Sequence, residues 1–204
     1  MIEALRGVGG LEIVGAFDEG GVDQVLGIPV LGPPTPEALR EHGAQGFVPA
    51  VGSHEVRRRW CEELGRQFAL VSAVHPTAFV SPSAEIGPGA FVGPLAVVHT
   101  LARIGTGAIV NSGAVVEHDV VVGDYAHVAP GAVLCGGVVV GEGALVGAGA
   151  RAAPLSRIGT GAVVGAGAVV LKVVPDGERW AGVPARRLQC GKSTDPDEAD
   201  GRLE

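Results

Sequence analysis

Two histidines and three carboxylates fall within eleven residues of this chain, in a stretch otherwise rich in small and aliphatic residues. They are Glu117, His118, Asp119, Asp124 and His127. A histidine beside a carboxylate can serve as a general base near neutral pH, because the anion stabilises the imidazolium that forms when the ring takes up a proton. The spacing alone leaves a second interpretation open, in which these are solvated side chains on an outer face.

The elements that hold these residues follow a six-residue repeat. Residues 79–174 divide into 16 blocks without an insertion, in which the second residue is Val, Ile or Leu in all but one block and the sixth is Ala in twelve. Each block predicts a short strand and a corner, and three blocks close a triangular coil whose neighbours stack about 4.8 Å apart. We therefore predict a mainly β protein built as a parallel β-helix. Its inward ladders are expected to include Ile86, Ile104, Val122, Val140 and Ile158.

The composition fits such a narrow interior. The chain is 47% hydrophobic but only 4% aromatic, with 34 glycines. A net charge of −7, with Arg57-Arg58-Arg59 as the one basic run, argues against a nucleic-acid partner. Cys61, Cys135 and Cys190 form neither a disulfide framework nor a zinc pattern. The sequence has no signal peptide and no apolar stretch of about 18 residues, which predicts a cytoplasmic protein without a membrane partner.

The flanking segments predict further units. Residues 11–17, 46–51 and 68–74 are predicted strands, and residues 37–42 and 54–64 are predicted helices that begin after Thr35 and Ser53. Strands alternating with helices indicate a small α/β, Rossmann-like domain. We expect this domain over residues 1–74, the β-helix over residues 75–188, and a polar tail without fixed structure over residues 189–204.

Four motifs carry a resemblance to a known family. They are N-S-G-A-V-V-E-H-D-x-x-x-G-D-Y-A-H-V-A-P-G-A at 111–132, G-V-P-A-R at 182–186, V-H-P-T-A at 74–78 and V-G-S-H-E-V-R at 51–57. Over residues 10–188 the chain resembles the hexapeptide sugar acetyltransferases, closest to the NeuD-like sialic acid O-acetyltransferases and the PglD-like bacillosamine or perosamine N-acetyltransferases. The resemblance implies a left-handed β-helix, acetyl-CoA as co-substrate without a metal, and a nucleotide-linked amino sugar as acceptor. It also implies a homotrimer with sites between subunits.

The resemblance assigns roles by position. His118 matches the catalytic base, Asp119 the acid that raises its basicity, and His127 a residue at the acetyl-CoA thioester. Gly136, Ala148 and Ala166 match backbone positions along the pantetheine arm of the cofactor. On the acceptor side the matches are Asp18, Glu19, Gly52, Ser53 and His54, with Asn111 orienting the acceptor or the base.

Glu117 and His99 are predicted to lie beside the base. Glu117 is the rival to Asp119 as the orienting carboxylate, and a solvated side chain is the preferred interpretation of it. His99 precedes Glu117 by 18 residues and is expected to stack one coil below it, at the border of the site.

The chain departs from the family pattern at its beginning. The family opens with a strand and a loop of the form G-x-G-G-H-G that contacts the nucleotide of the acceptor. Here Met1–Arg6 resembles the end of the helix that follows this loop, and Gly7–Gly10 predicts a helix stop rather than a phosphate cradle. We therefore expect a truncated α/β domain with an exposed sheet edge and an incomplete acceptor pocket.

Other functions remain open at this level. The nearest is O-acetylation of a sugar of the sialic acid type. A γ-type carbonic anhydrase would use the same β-helix but needs three histidines on one zinc ion. A third possibility is an inactive β-helix that serves as a scaffold.

Overall fold

The computed structural model describes residues 1–7, 10–18 and 20–188. Most of this length forms a parallel β-helix with three faces, each made of very short strands stacked along the axis. The first face contains Ala73–Val74, Phe91–Val92, Ile109–Val110, His127–Val128, Leu145–Val146, Val163–Val164 and Arg179–Ala181, with Arg186–Arg187 added antiparallel at its end. The second face contains Phe79–Val80, Val97–Val98, Val115–Val116, Val133–Leu134, Arg151–Ala152 and Val169–Val170. The third face contains Glu85–Ile86, Arg103–Ile104, Val121–Val122, Val139–Val140, Arg157–Ile158 and Val173–Val174.

Three corners connect these faces. The first corner follows the first face and includes Asn111, Ala148 and Ala166. The second corner follows the second face and includes His118 and Gly136. The third corner follows the third face and includes Gly107, Tyr125 and Gly143.

The register follows the repeat through the middle of the β-helix. Ile104 pairs with Ile86 on one side and Val122 on the other, and Val122 pairs in turn with Val140, so the predicted inward ladder is confirmed. The second and sixth residues of the blocks fill the interior as one continuous apolar cluster. Even Ala152, the one small residue at a second position, is 1% exposed.

In the blocks that make up residues 85–168, the fifth residue turns the corner with a positive φ. Glycine occupies most of these positions and adopts such angles without a steric penalty. Five residues that carry a side chain adopt positive φ angles as well. For an ordinary L-residue this conformation costs about 1–2 kcal/mol. The five residues are Leu95, Leu101, Asp119, Tyr125 and Leu155, with φ between 57° and 62°.

Ser156 interrupts the alanine column at the sixth position. Its hydroxyl is buried and has no hydrogen-bond partner among the described residues. A buried hydroxyl without a partner is destabilising. We expect Ser156→Ala to raise the free energy of unfolding by about 1 kcal/mol, measured by urea denaturation. The control is Ser81→Ala, because the Ser81 hydroxyl is buried but bonded to Ser83; equal effects of the two changes would contradict this account.

The described residues of the N-terminal part form three helices and two small sheets. The helices are α1 (Ile2–Arg6), α2 (Pro36–Glu41) and α3 (His54–Leu64). Thr35 caps α2 by accepting the Ala38 N–H at 3.1 Å, and Ser53 caps α3 by accepting the Val56 N–H, so both predicted helices are confirmed. The sheets are an antiparallel pair, Gln24–Val25 with Ile28–Pro29, and a parallel pair, Gly46–Phe47 with Ala69–Leu70.

Two predicted strands differ from the structure. Residues 11–17 form no strand, because they meet one neighbour only, at the single bridge from Ala16 to Val30, and Leu11 and Val14 stay exposed. Residues 68–74 divide between two sheets: Ala69–Leu70 stays with the N-terminal part, whereas Ala73–Val74 pairs with Phe91–Val92 and begins the first face. Apolar composition predicts burial but does not specify the strand partner.

The N-terminal part packs on the half of the first face that lies at the N-terminal end of the β-helix. Ala4 of α1 is buried against Phe91 and Ile109, the outward residues of two successive strands. The next rung of this face is His127, which pairs with Ile109. His127 therefore lies where the covered half of the face ends. Within the described ranges, no helix is both long enough and apolar enough to span a membrane.

Candidate active site

His118 stands on the second corner, with one ring nitrogen bonded and the other without a partner among the described residues. Its Nδ1 lies 2.8 Å from a carboxylate oxygen of Asp119, and both side chains are more than half exposed. A carboxylate can only accept, so in the neutral ring the proton lies on Nδ1 and the lone pair on Nε2. Asp119 reaches this position with a φ of 59°, which aspartate tolerates better than most residues. The pair is thus arranged as a base with its orienting acid.

Gly136 lies one coil above His118 and directly against its ring. A Cβ atom at position 136 would stand 2.6 Å from both Cε1 and Nε2 of the imidazole, closer than non-bonded carbon atoms approach. The His118 ring can therefore occupy this position because residue 136 has no side chain. The sequence resemblance assigned Gly136 to the cofactor channel, and the structure puts it in contact with the base.

Glu117 points away from the base and toward the coil below. Its carboxylate lies 3.9 Å from Nε2 of His99, and the His99 ring in turn lies 6.1 Å from the ring of Phe79. The predicted stacking of His99 below Glu117 is therefore confirmed. Because Glu117 faces His99, the carboxylate bonded to His118 is that of Asp119.

His127 and Asn111 form a second polar pair, on the first face and first corner. Asn111 Oδ1 accepts the Ser112 N–H at 2.8 Å, which turns its Nδ2 toward His127 Nε2 at 3.1 Å. Since the amide nitrogen can only donate, Nε2 of His127 accepts and the proton of the neutral ring resides on Nδ1. Burial lowers the pKa of His127 below its ordinary value, and the positive charge of Arg57 lowers that pKa further. His127 is therefore a neutral hydrogen-bond donor at pH 7.

Arg57 is a feature that the sequence analysis missed. It is 0% exposed, and its guanidinium donates to the carbonyl oxygens of Val51, Gly52, Gly107 and Tyr125. Arg57 ends the V-G-S-H-E-V-R motif, but no role was assigned to it there, and otherwise it stood out only as part of a basic run, which is typical of an exposed surface. A buried arginine cannot be told from an exposed one by that pattern.

The remaining cofactor positions lie near His127 rather than near His118. Ala148 and Ala166 are exposed and stack on the first corner, where the Ala148 carbonyl accepts the Gly167 N–H at 2.8 Å. Within one chain the structure therefore separates two clusters. His118, Asp119 and Gly136 occupy the second corner, whereas Asn111, His127, Ala148 and Ala166 occupy the first face and first corner, on the other side of the second face.

The acceptor-side residues are only partly gathered. Gly52 and Ser53 form the exposed loop before α3, and His54 contacts the third corner at Gly143, where a Cβ would lie 3.1 Å from the His54 ring. Asp18 is exposed, and its carboxylate accepts the Gly20 N–H at 2.6 Å. This hydrogen bond does not connect Asp18 to the loop at Gly52 and Ser53. Glu19 lies outside the described residues. Within those residues, no group of three or more His, Cys, Asp or Glu side chains could hold a metal ion.

Comparisons with known proteins agree with this geometry. The family model of the bacterial transferase hexapeptide (six repeats) matches residues 101–136 and 119–154. A search of curated proteins found no match.

Solved structures are similar over most of the chain. The acetyltransferase domain of PglB from Neisseria gonorrhoeae, in complex with acetyl coenzyme A, is 36% identical, with 84% of each chain covered and a TM-score of 0.77. PerB from Caulobacter crescentus, in complex with CoA and GDP-perosamine, is 41% identical, with 82% of each chain covered and a TM-score of 0.76. WeeI from Acinetobacter baumannii is 29% identical, with 85% of each chain covered and a TM-score of 0.74.

Two of these relatives exceed 35% identity over more than four fifths of both chains, with TM-scores of 0.77 and 0.76. The chain therefore belongs to the hexapeptide-repeat sugar acetyltransferases, a family of acyltransferases.

Proposed function

We propose that this protein transfers the acetyl group of acetyl-CoA to the amino group of a nucleotide-linked sugar. The observation that carries the proposal is the geometry of His118, whose Nδ1 donates to Asp119 while Nε2 stays free to take a proton. Relatives of this fold were crystallised with acetyl coenzyme A, and with CoA and GDP-perosamine. We also propose a left-handed β-helix, as in the family, and a Rossmann-like origin for the N-terminal part.

The mechanism follows from the two histidines. The amine nitrogen attacks the thioester carbonyl carbon while His118 Nε2 removes a proton from that nitrogen, and Asp119 stabilises the imidazolium that forms. The negative charge on the former carbonyl oxygen is met by the Nδ1–H of neutral His127. The C–S bond then breaks, and the CoA thiolate takes the proton from His118. The products are an N-acetyl sugar and free CoA.

This mechanism needs both histidines at one reacting carbon, and one chain holds them on different edges of the β-helix. We propose that the site forms between two subunits of a homotrimer, with His118 from one and His127 from its neighbour. Three exposed leucines at strained backbone positions, Leu95, Leu101 and Leu155, support an interface near the corners. Such strain is kept where a packed neighbour or a function offsets it.

A mixing experiment tests the shared site. Refolding equal amounts of His118→Ala and His127→Ala subunits together is expected to restore about a quarter of the wild-type sites, because an intact site forms wherever the two unmodified histidines meet across an interface of a closed trimer. Thiol release from acetyl-CoA measures the recovery. The control is each variant refolded alone, which should stay inactive. A mixture no more active than its components would place both histidines in the same chain and contradict the shared site.

The N-terminal part supplies the proposed acceptor side. The loop at Gly52 and Ser53 is exposed beside the third corner, next to the face that carries His127. We propose that this loop, with Asp18 and Glu19, contacts the acceptor, and that residues 1–74 act as the acceptor domain while residues 75–188 hold the catalytic groups.

A panel of sugar nucleotides with acetyl-CoA tests the proposed function. Amino sugars linked to a nucleotide are expected to release CoA thiol, whereas matched sugars with a hydroxyl in place of the amine should not. Release only with the hydroxyl sugars would replace N-acetylation by O-acetylation. No release with either class would contradict a sugar acetyltransferase.

A further inference from the structure

The Arg57 guanidinium is the only fully buried cation that the described residues contain. Burying a charge is costly unless it is paired and fully hydrogen-bonded. No carboxylate of residues 1–7, 10–18 or 20–188 lies within salt-bridge distance of it. Hydrogen bonds to four carbonyl oxygens offset the cost of burying this charge instead. The positions of these carbonyl groups in the fold indicate the role of Arg57.

The four carbonyls belong to two different parts of the molecule. Val51 and Gly52, each 2.9 Å from Nη1, form the loop that leads into α3. The other two carbonyls belong to Gly107 and Tyr125, which are corner residues of two successive coils of the β-helix. The Gly107 oxygen lies 2.6 Å from Nε, and the Tyr125 oxygen accepts from Nη2. Neither corner carbonyl accepts a backbone hydrogen bond in the described part of the chain. Arg57 therefore supplies hydrogen-bond donors to two carbonyl oxygens that receive none from the backbone of the β-helix.

The corner carbonyls stand next to the site. Tyr125 precedes His127 by two residues, and it makes the corner with a φ of 57°. Position 125 is glycine in most coils of this corner, and here its ring packs against Gly107, where a Cβ would lie 3.0 Å away. The guanidinium thus fixes the segment that delivers His127 to the first face.

We infer that Arg57 is the positioning residue that holds the acceptor loop, residues 51–54, in register with the coil that carries His127. The effect of Arg57 on the KM of the acceptor rests on the proposed function, whereas its effect on the position of the loop does not. Because one rigid guanidinium bonds both parts, any shift of the loop relative to His127 breaks at least two hydrogen bonds. A lysine cannot reproduce this, since it lacks the planar fork of five donors.

The charge of Arg57 has a second effect at the same place. The groups around His127 are the neutral amide of Asn111, the apolar Ile109 and Leu145 on the adjoining strands, and Arg57 from the direction of α3. No carboxylate in the described ranges lies within salt-bridge distance of the His127 ring. Burial is the larger cause of the lowered pKa of His127, and the positive charge of Arg57 lowers that pKa further, so both favour the neutral ring.

Two substitutions separate position from charge. Arg57→Met removes both, and Arg57→Lys keeps the charge but loses the fork. Arg59→Met is the matched control, because it removes the same charge from an exposed position of the same helix. With a nucleotide-linked amino sugar as acceptor, both Arg57 variants are expected to raise its KM about tenfold while the KM of acetyl-CoA stays within about twofold. Arg59→Met should change neither.

NMR supplies readouts that need no turnover. The His127 ring should titrate at higher pH in Arg57→Met but not in Arg57→Lys. Amide hydrogens of residues 51–54 should exchange faster in both variants. If Arg57→Met does not fold, the lysine variant decides alone through the KM of the acceptor and the exchange rates.

An Arg57→Lys protein with wild-type acceptor KM and unchanged exchange at 51–54 would overturn the inference. If no sugar is acetylated by the wild-type protein, the proposed function fails, yet the His127 titration and the exchange of the loop still decide on Arg57.

Discussion

Replacing His118 with alanine is expected to lower kcat for acetyl transfer by about 10²- to 10⁴-fold, the usual contribution of a general base. Nε2 is the nitrogen of the His118 ring that is not bonded to Asp119, and it carries the lone pair that can accept a proton from the acceptor. The side chain of His118 is 63% exposed, so its removal should leave the β-helix intact. Steady-state thiol release measures the loss, and thermal melting checks the fold.

His99→Ala is the matched control for this change. His99 lies on the same corner, one coil below Glu117, and its side chain is 43% exposed. It contacts Glu117 rather than the His118–Asp119 pair, so its loss should leave kcat within about twofold of wild type. Equal losses in the two variants, or turnover like that of wild type in His118→Ala, would contradict the assignment of the base.

Gly136→Ala is expected to lower kcat by about 10²-fold, because a displacement of about 1 Å at a reacting group has effects of this size. The added Cβ would stand 2.6 Å from Cε1 and Nε2 of His118, so the ring must move. The ring is the exposed end of a side chain and can turn outward, so the melting temperature should change little. The expected pattern is a lost rate on an unchanged fold.

A double-mutant cycle isolates the cause of this effect. When His118 is already alanine, Gly136→Ala has no ring to displace and should cost no further activity. The residual rate of the double variant is therefore expected to equal that of His118→Ala. A further tenfold loss in the double variant would mean that Gly136 acts on something other than the base, such as the cofactor arm.

The regular part of the fold was accessible from the sequence because its physics is local. A block of six residues specifies one strand and one corner, and each coil contacts only the coils above and below it. The strand pairs Ile86–Ile104 and Ile104–Val122 therefore follow from counting 18 residues. The helices α2 and α3 were equally local, since Thr35 and Ser53 cap them within three residues.

The N-terminal part was less predictable because its contacts are not local. The apolar residues 11–17 predict a strand, but a strand exists only where a partner backbone lies beside it, and here Ala16 alone is bridged. Arg57 bonds Gly107 and Tyr125, which lie 50 and 68 residues further along the chain. No spacing rule connects such positions.

The sequence indicates candidate site residues but not their arrangement. The Glu117–Asp119 block pointed to His118, and the resemblance favoured Asp119 over Glu117 as the orienting carboxylate. What each carboxylate contacts came only from the coordinates, because side chains of adjacent corner residues point in different directions. In the structure Asp119 meets the ring and Glu117 meets His99. The separation of His118 from His127 also follows from the three faces rather than from their nine-residue spacing.

Acetyl transfer to an amino sugar with His118 as the base can be followed in one labelling measurement. Acetyl-CoA labelled at its carbonyl carbon is incubated with a nucleotide-linked amino sugar and either the wild-type protein or His118→Ala, and the carbon is followed by NMR. The account predicts that the wild-type protein moves the label into an amide of the sugar, while the variant leaves it in the thioester. Label that appears in an ester, or that reaches the amine equally fast with His118→Ala, would contradict it.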